Sequence, residues 1–253
     1  MKIKLTFLVL VILQSFYAYN QRNVKDSIIA TPWVSLNYGG NWTKADLANR
    51  YGFLNHLGFL AGYKSKKNWF YGVDANFMFG NKIKIPNLLS GLADSYGNIT
   101  DMNGDIAKVV LSVRGFNSNL TFGKVFPILS PNANSGVFIH GGFGILAHKI
   151  RIETQDQVIP SIELDYKKGY DRLSIGPNFH QYLGYALMAN RGLVNFHAGF
   201  YAQEGFTSNM RTIFFDQPSI TISKKTMLDI QIGFKIGWFV PIYKRLPKEF
   251  YYN

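Results

Sequence analysis

Five ionisable side chains, Asp74, His180, His197, Asp229 and Lys235, fall on the polar phase of alternating segments. A carboxylate near an imidazole is the pairing that general acid–base catalysis or a proton relay requires, since one group takes the proton that the other gives up. Turned into a protein interior, the same residues make a network of salt bridges and hydrogen bonds that only fills space. The second reading is expected. Lipid-modifying enzymes built on small barrels set His and Ser at a rim or on the lipid face, in the deacylases close in sequence, and no His-x-Ser occurs here. Asn37, Asn76, Asn178, Asn195 and Gln231 share the polar phase and complete the expected network. No catalytic, cofactor-binding or metal-binding residue is assigned.

Three further motifs fall short of a site. Asp101, Asn103 and Asp105 have the first ligand spacings of a calcium loop. Position six, which needs Gly, is Ile106, and position twelve, which needs Glu, is Ser112, so an acidic turn is expected instead. Gly141-Gly142-Phe143-Gly144 looks like a phosphate-loop fragment but lies in a strand pattern with no helix behind it. A bend in the sheet is expected there. The sequons at Asn41, Asn98 and Asn119 matter only in a eukaryotic host.

The elements that carry these residues alternate with period two. From Met227 to Val240 the even positions are Leu, Ile, Ile, Phe, Ile, Trp and Val, while the odd ones include Asp229, Gln231, Gly233 and Lys235. Such alternation over more than ten residues has the length of a tilted membrane strand. Trp69–Gly80, Leu193–Gln203, Trp33–Gly39 and His56–Lys64 repeat it. Three segments are less regular. Leu173–Leu187 is interrupted by Gln181, Val109–Phe126 changes phase near Asn117, where a bulge is expected, and Val137–Ile152 drifts. Short connections at 66–68, 130–135 and 189–192 alternate with long ones near 42–50, 86–107, 155–169 and 212–223. Eight strands with short turns on one rim and long loops on the other describe an outer-membrane barrel.

The N-terminus agrees. Lys2 and Lys4 precede an apolar run from Leu5 to Leu13, with Ala18 as a small residue for cleavage, the order of a secretory signal peptide. Expected boundaries are a signal peptide at 1–18, a periplasmic segment at 19–30, a barrel at 31–244 and a tail at 245–253 that is basic and aromatic. The tail could dock onto a periplasmic partner or simply fray. The chain has no Cys, which excludes disulfides and thiolate metal sites. Its formal charge is +12, yet no basic helix or Arg-rich tract indicates a nucleic-acid partner. Lys64, Lys66, Lys67, Lys82, Lys84, Lys149, Arg151, Lys224, Lys225, Lys244 and Arg245 sit near segment ends. There they meet lipid or lipopolysaccharide phosphates, or serve as ordinary loop charge.

Face chemistry separates a membrane barrel from a soluble sandwich. A soluble strand carries long charged side chains on its polar face, whereas here that face is Asn, Gln, Asp, His and Gly. Trp69, Tyr71, Tyr63, Tyr185 and Trp238 stand near segment ends of the opposite face, as interfacial aromatics do. The fold class expected is therefore all-β, a closed antiparallel up-and-down transmembrane barrel of about eight strands in the bacterial outer membrane. In Gly169–Leu173, Val194–Phe200 and Gly237–Tyr243 the chain resembles small outer-membrane β-barrel proteins of Bacteroidota. That resemblance implies membership of a group in which some proteins serve the type IX secretion and gliding machinery. The expected role is a non-enzymatic membrane anchor or interaction component without a cofactor, in contact with outer-membrane lipid and a periplasmic or outer-membrane protein complex. The alternatives are an outer-leaflet lipid-modifying enzyme and a narrow pore, although eight strands leave little room for water.

Overall fold

The computed structural model describes residues 27–155, 157–189 and 194–242. The expected signal peptide, most of the N-terminal segment, the 190–192 turn and the tail lie outside the described residues. Among the described residues ten strands are present: β1 (Thr31–Lys44), β2 (Leu54–Lys64), β3 (Trp69–Gly80), β4 (Ile99–Thr100), β5 (Ile106–Ala107), β6 (Val110–Phe126), β7 (Gly136–Glu153), β8 (Ser174–Met188), β9 (Asn195–Asn209) and β10 (Met227–Pro241). Eight of them close into an antiparallel barrel in the order β1-β10-β9-β8-β7-β6-β3-β2, while β4 and β5 form a separate hairpin in the longest loop. The eight expected segments coincide with the eight barrel strands.

Closure follows from the solvent. A sheet in hydrocarbon has no water to satisfy an open edge, so every backbone N–H and C=O must find a neighbouring strand. The register gives the shape. A row of paired residues passes from Val34 through Ala61, Val73, Leu120, Phe143, Phe179, Glu204 and Ile230 to Lys44. It returns to β1 ten residues from its start (44 − 34 = 10), a stagger that tilts eight strands by about 40° from the barrel axis. A barrel of this size encloses only enough space for its own side chains.

The faces divide as the alternation requires. Ile232, Phe234, Ile236 and Trp238 are exposed, whereas Asp229, Gln231 and Lys235 between them are buried. Outward Leu36, Phe59, Tyr71, Phe77, Leu120, Phe143, Phe179 and Phe200 continue the apolar wall around the barrel. The inward charges at the barrel's middle, Asp74 and Lys235, pair with each other. Tyr63, Tyr71 and Trp238 ring the short-turn rim, and Trp42 and Phe53 pack edge-on near the other. An apolar wall between two aromatic girdles is the surface that a bilayer solvates.

The irregular segments keep constant register, although the β8–β9 ladder lapses at Gly176 and Pro177. The expected bulge near Asn117 is absent: β6 pairs with β3 and with β7 in unbroken register through that residue. The phase changes in chemistry alone. Val113 and Val125 point inward to apolar layers at the two ends of the lumen, and Arg114 and Lys124 point outward. Gln181 likewise stays in register and faces outward, where its Nε2 donates to Glu204 Oε2 at 3.1 Å. Pairing also continues through Gly141–Gly144, where a Cβ on Gly144 would collide with the Ser118 carbonyl. Glycine there leaves room for inward Asn119 and Asn178.

Besides the β4–β5 hairpin, a short helix occupies a connection expected as loop. After β1 the chain turns at Ala45, with φ of +53°, into a six-residue helix α1 (Ala45–Arg50) that folds over the barrel mouth. Its Leu47 is fully buried, and Asp46 accepts the Leu228 N–H at 2.8 Å.

A filled lumen as the candidate functional site

The interior consists of three layers along the barrel axis. At the short-turn end Trp33 packs against Phe239, Phe70 and Phe138, with ring centroids 4.3, 4.9 and 5.5 Å away. Leu60, Val125, Ala186, Met188 and Ile29 complete this apolar plug. Each ring arrives on an inward strand position, so strand residues provide most of this closure, with Ile29 added from the segment before β1.

The middle layer is polar and centres on one ion pair. Lys235 Nζ donates to Asp74 Oδ2 at 2.7 Å and lies 4.2 Å from the centre of the Tyr201 ring. Asn76 donates to Asp74 Oδ1 at 3.2 Å and to Asn117 Oδ1 at 2.8 Å. Asn117 in turn donates to Gln203 Oε1 at 3.1 Å, and Asn178 donates to Asn119 Oδ1 at 2.7 Å. His197 Nε2 lies 3.2 Å from Ser35 Oγ and 3.1 Å from Asn37 Oδ1, with its Nδ1 3.0 Å from the Tyr182 hydroxyl. His180 stands 3.4 Å from His140, and His56 is 2.9 Å from Gln231 Oε1. A charge in a low-dielectric interior is tolerable only when paired and hydrogen-bonded in this way.

Above it lies a second polar node. Asp229 accepts from Arg50 Nη2 and Thr207 Oγ1, each at 2.5 Å, and sits 2.9 Å from His148 Nε2. Tyr51 OH is 3.4 Å from the other nitrogen of His148, and Arg50 Nη1 donates to Ser174 Oγ at 3.0 Å. A hydroxyl, an imidazole and a carboxylate in line are the parts of a proton relay. Here His148 and Asp229 are 1 % and 0 % exposed, beneath an apolar layer. That layer joins Leu54, Met78, Val113, Leu146 and Ile150 of the barrel to Leu47 of α1 and to Leu88, Ile159, Ile162 and Tyr170 of the loops.

The expected residues divide between these layers. Asn37, Asp74, Asn76, Asn178, His180, His197, Gln231 and Lys235 lie in the middle layer, all buried. Asp229 is not among the groups bonded to the Asp74–Lys235 pair, because it stands on the mouth side of β10 and is held by Arg50 and His148. The five ionisable residues therefore form two nodes, not one cluster. Asn195 is buried at the short-turn rim, where it accepts the Ala189 N–H at 3.0 Å. Sequence reading missed His56, His140 and His148, although each lies on the inward phase of its strand. It also missed Arg50, whose place depends on α1.

Charges at segment ends divide too. Lys64 was expected to meet headgroups or to serve as loop charge, yet it is fully buried, with Nζ 3.0 Å from the Ile29 carbonyl and 2.9 Å from Asn134 Oδ1. The acidic turn of the longest loop is ordered by its own carboxylate: Asp101 Oδ1 accepts from the Asn103 and Asp105 N–H groups at 2.8 and 3.0 Å. No group of His, Asp or Glu placed to hold a metal ion occurs among the described residues.

A closed eight-stranded barrel with an apolar exterior, aromatic girdles and a side-chain-filled interior is a transmembrane β-barrel of the bacterial outer membrane. No protein-family model matches the chain, and no curated protein does. Among solved structures it is similar to Neisserial surface protein A, NspA, at 11 % identity and a TM-score of 0.39, covering 83 % of this chain and 98 % of that one. It is also similar to Ail, the attachment invasion locus protein of Yersinia pestis, at 10 % identity and 0.36, covering 83 % and 98 %. OprG from Pseudomonas aeruginosa is similar at 11 % identity and 0.36, covering 85 % and 99 %. At such scores the likeness carries no functional argument, and the membrane assignment rests on the barrel's own faces.

Proposed function

We propose that this barrel is a closed membrane platform, an anchor or interaction component of the cell envelope and not a channel or an enzyme. The supporting observation is the layered lumen: an aromatic plug at one end, a bonded polar layer in the middle and a loop-built apolar cap at the other. A continuous water path has no place in such a stack. What remains available is the surface, comprising lipid along the wall and protein partners at the long loops and the periplasmic rim. A secretion or gliding complex is the instance that the resemblance to Bacteroidota barrels implies. The lipid-modifying alternative is disfavoured because all five histidines, His56, His140, His148, His180 and His197, are buried in the interior and none faces lipid.

Two measurements test the reading. Purified barrel in planar bilayers should be electrically silent, and discrete conductance steps would contradict the plugged lumen. Cross-linking in intact cells, followed by mild solubilisation, should recover a defined protein partner through the outer loops or the periplasmic rim. Recovery of the barrel alone would remove the platform role while leaving the fold intact.

A further inference from the structure

The outward side chains of β6, read from the short-turn rim, are Lys124, Phe122, Leu120, Ser118, Phe116 and Arg114. Ten residues separate the two cations, which at about 3.3 Å per residue and a tilt near 40° is roughly 25 Å, the height of an apolar barrel belt. Lys124 and Arg114 therefore mark the two edges of the hydrocarbon. Their surroundings differ. Lys124 lies over the Trp69 and Phe126 rings, 4.9 and 5.3 Å from their centres. Arg114, at the long-loop edge, is paired across the ladder with another cation, Lys149 of β7.

Like charges directly opposite on one face of a sheet destabilise it, because their side chains start only about 5 Å apart. Among the described residues no carboxylate relieves this pair. Arg114 donates only to the adjacent Val113 carbonyl, at 2.9 Å, and neither cation has a carboxylate within 4 Å among the described residues. Arg151, two residues beyond Lys149 on the same face, is already bridged to Glu153. Below the pair, Phe116 opposite Ala147 and then Ile145 opposite Ser118 continue into the apolar wall. A planar guanidinium and a point ammonium side by side, with acyl-compatible surface beneath them, complement a phosphate attached to a lipid.

We propose that Arg114 and Lys149 form a binding site for the phosphate of an outer-leaflet glycolipid of the lipid A type, seated against the β6–β7 wall. The anion turns a repulsive pair into a bridged one and fixes the barrel's depth and rotation relative to its lipid shell. The site rests on the membrane-platform reading, in which lipid is a partner of the wall.

Native mass spectrometry of the full-length chain folded in detergent tests it, with lipid A carrying both phosphates, fully dephosphorylated lipid A and inorganic phosphate as probes. The unaltered protein should retain the bisphosphorylated lipid about tenfold better than the dephosphorylated one. Arg114→Gln with Lys149→Gln should abolish that preference, and Arg114→Lys should keep most of it. Lys124→Gln, at the other edge, should leave it unchanged. Heat-modifiable migration on a gel certifies that each variant is folded, and the two-lipid comparison on the unaltered protein needs no variant. Equal retention of the two lipids by the unaltered protein overturns the site but not the platform. Displacement by inorganic phosphate with no advantage for the lipid overturns the headgroup source. A chain that fails to fold in detergent at all overturns both.

Discussion

The two ends of the lumen are closed by different means. At the short-turn end the plug consists mainly of strand residues: Trp33, Phe70, Phe138 and Phe239 arrive on inward positions of β1, β3, β7 and β10 and meet ring to ring. At the long-loop end the barrel residues provide only a floor, and Leu47, Leu88, Ile159, Ile162 and Tyr170 must fold in from α1 and the loops. The first closure is largely complete once the barrel forms, with only Ile29 added from outside the strands. The second requires the loops to order, and so it can open locally without the barrel unfolding. The long-loop cap is therefore the end whose order depends on residues outside the barrel strands.

Trp33→Ala should produce the largest effect on that contrast. It removes the ring at the centre of the lower plug and is expected to cost about 3–5 kcal/mol. Urea unfolding in detergent, read by the heat-modifiable gel shift, measures it, and a loss well below that range would mean the lower end collapses as easily as a loop. Next is Lys235→Met, which leaves Asp74 buried without its cation and should cost about 3 kcal/mol. Adding Asp74→Leu should recover most of that loss, because the double change leaves no uncompensated charge. Ile162→Ala should cost about 2 kcal/mol at most, since a loop can close over the gap. Its signature should be faster proteolysis of the 80–110 and 153–174 loops with an unchanged gel shift; a weakened gel shift would show that the two ends are not separable. Asp101→Ala should have the smallest effect, about 1 kcal/mol or less, confined to hydrogen exchange in the β4–β5 hairpin.

The part of this architecture legible in the sequence is the part with period two. Ile232, Phe234 and Ile236 against Gln231, Gly233 and Lys235 identify both a strand and the side that faces lipid, because every second residue must meet the same solvent. That logic located the eight strands and most of the middle layer. It failed where chemistry changes along a strand at constant phase. Val113 and Val125 are inward and apolar, Arg114 and Lys124 outward and charged, and together they imitate a bulge at Asn117 that the ladder does not contain. It failed again at Lys64, whose charge suggested a headgroup although a carbonyl and an amide oxygen satisfy it inside. The separation of Asp229 from Asp74 was not legible, because it depends on Arg50 reaching over from α1, a contact 179 residues distant in the chain. Periodicity reports faces; it does not report how far along the axis two inward residues lie.

Everything functional depends on which face meets lipid, and consecutive residues of one strand test it most directly. The chain has no cysteine, so single cysteines placed at 231, 232, 234 and 235 can each carry one fluorophore after folding into bilayers. Lipids bearing a nitroxide on the acyl chain should quench labels at Ile232 and Phe234 strongly and should leave labels at Gln231 and Lys235 little affected or unreactive. Quenching in the opposite phase, or equal access of a water-soluble quencher to all four positions, would contradict the membrane barrel and the filled lumen together.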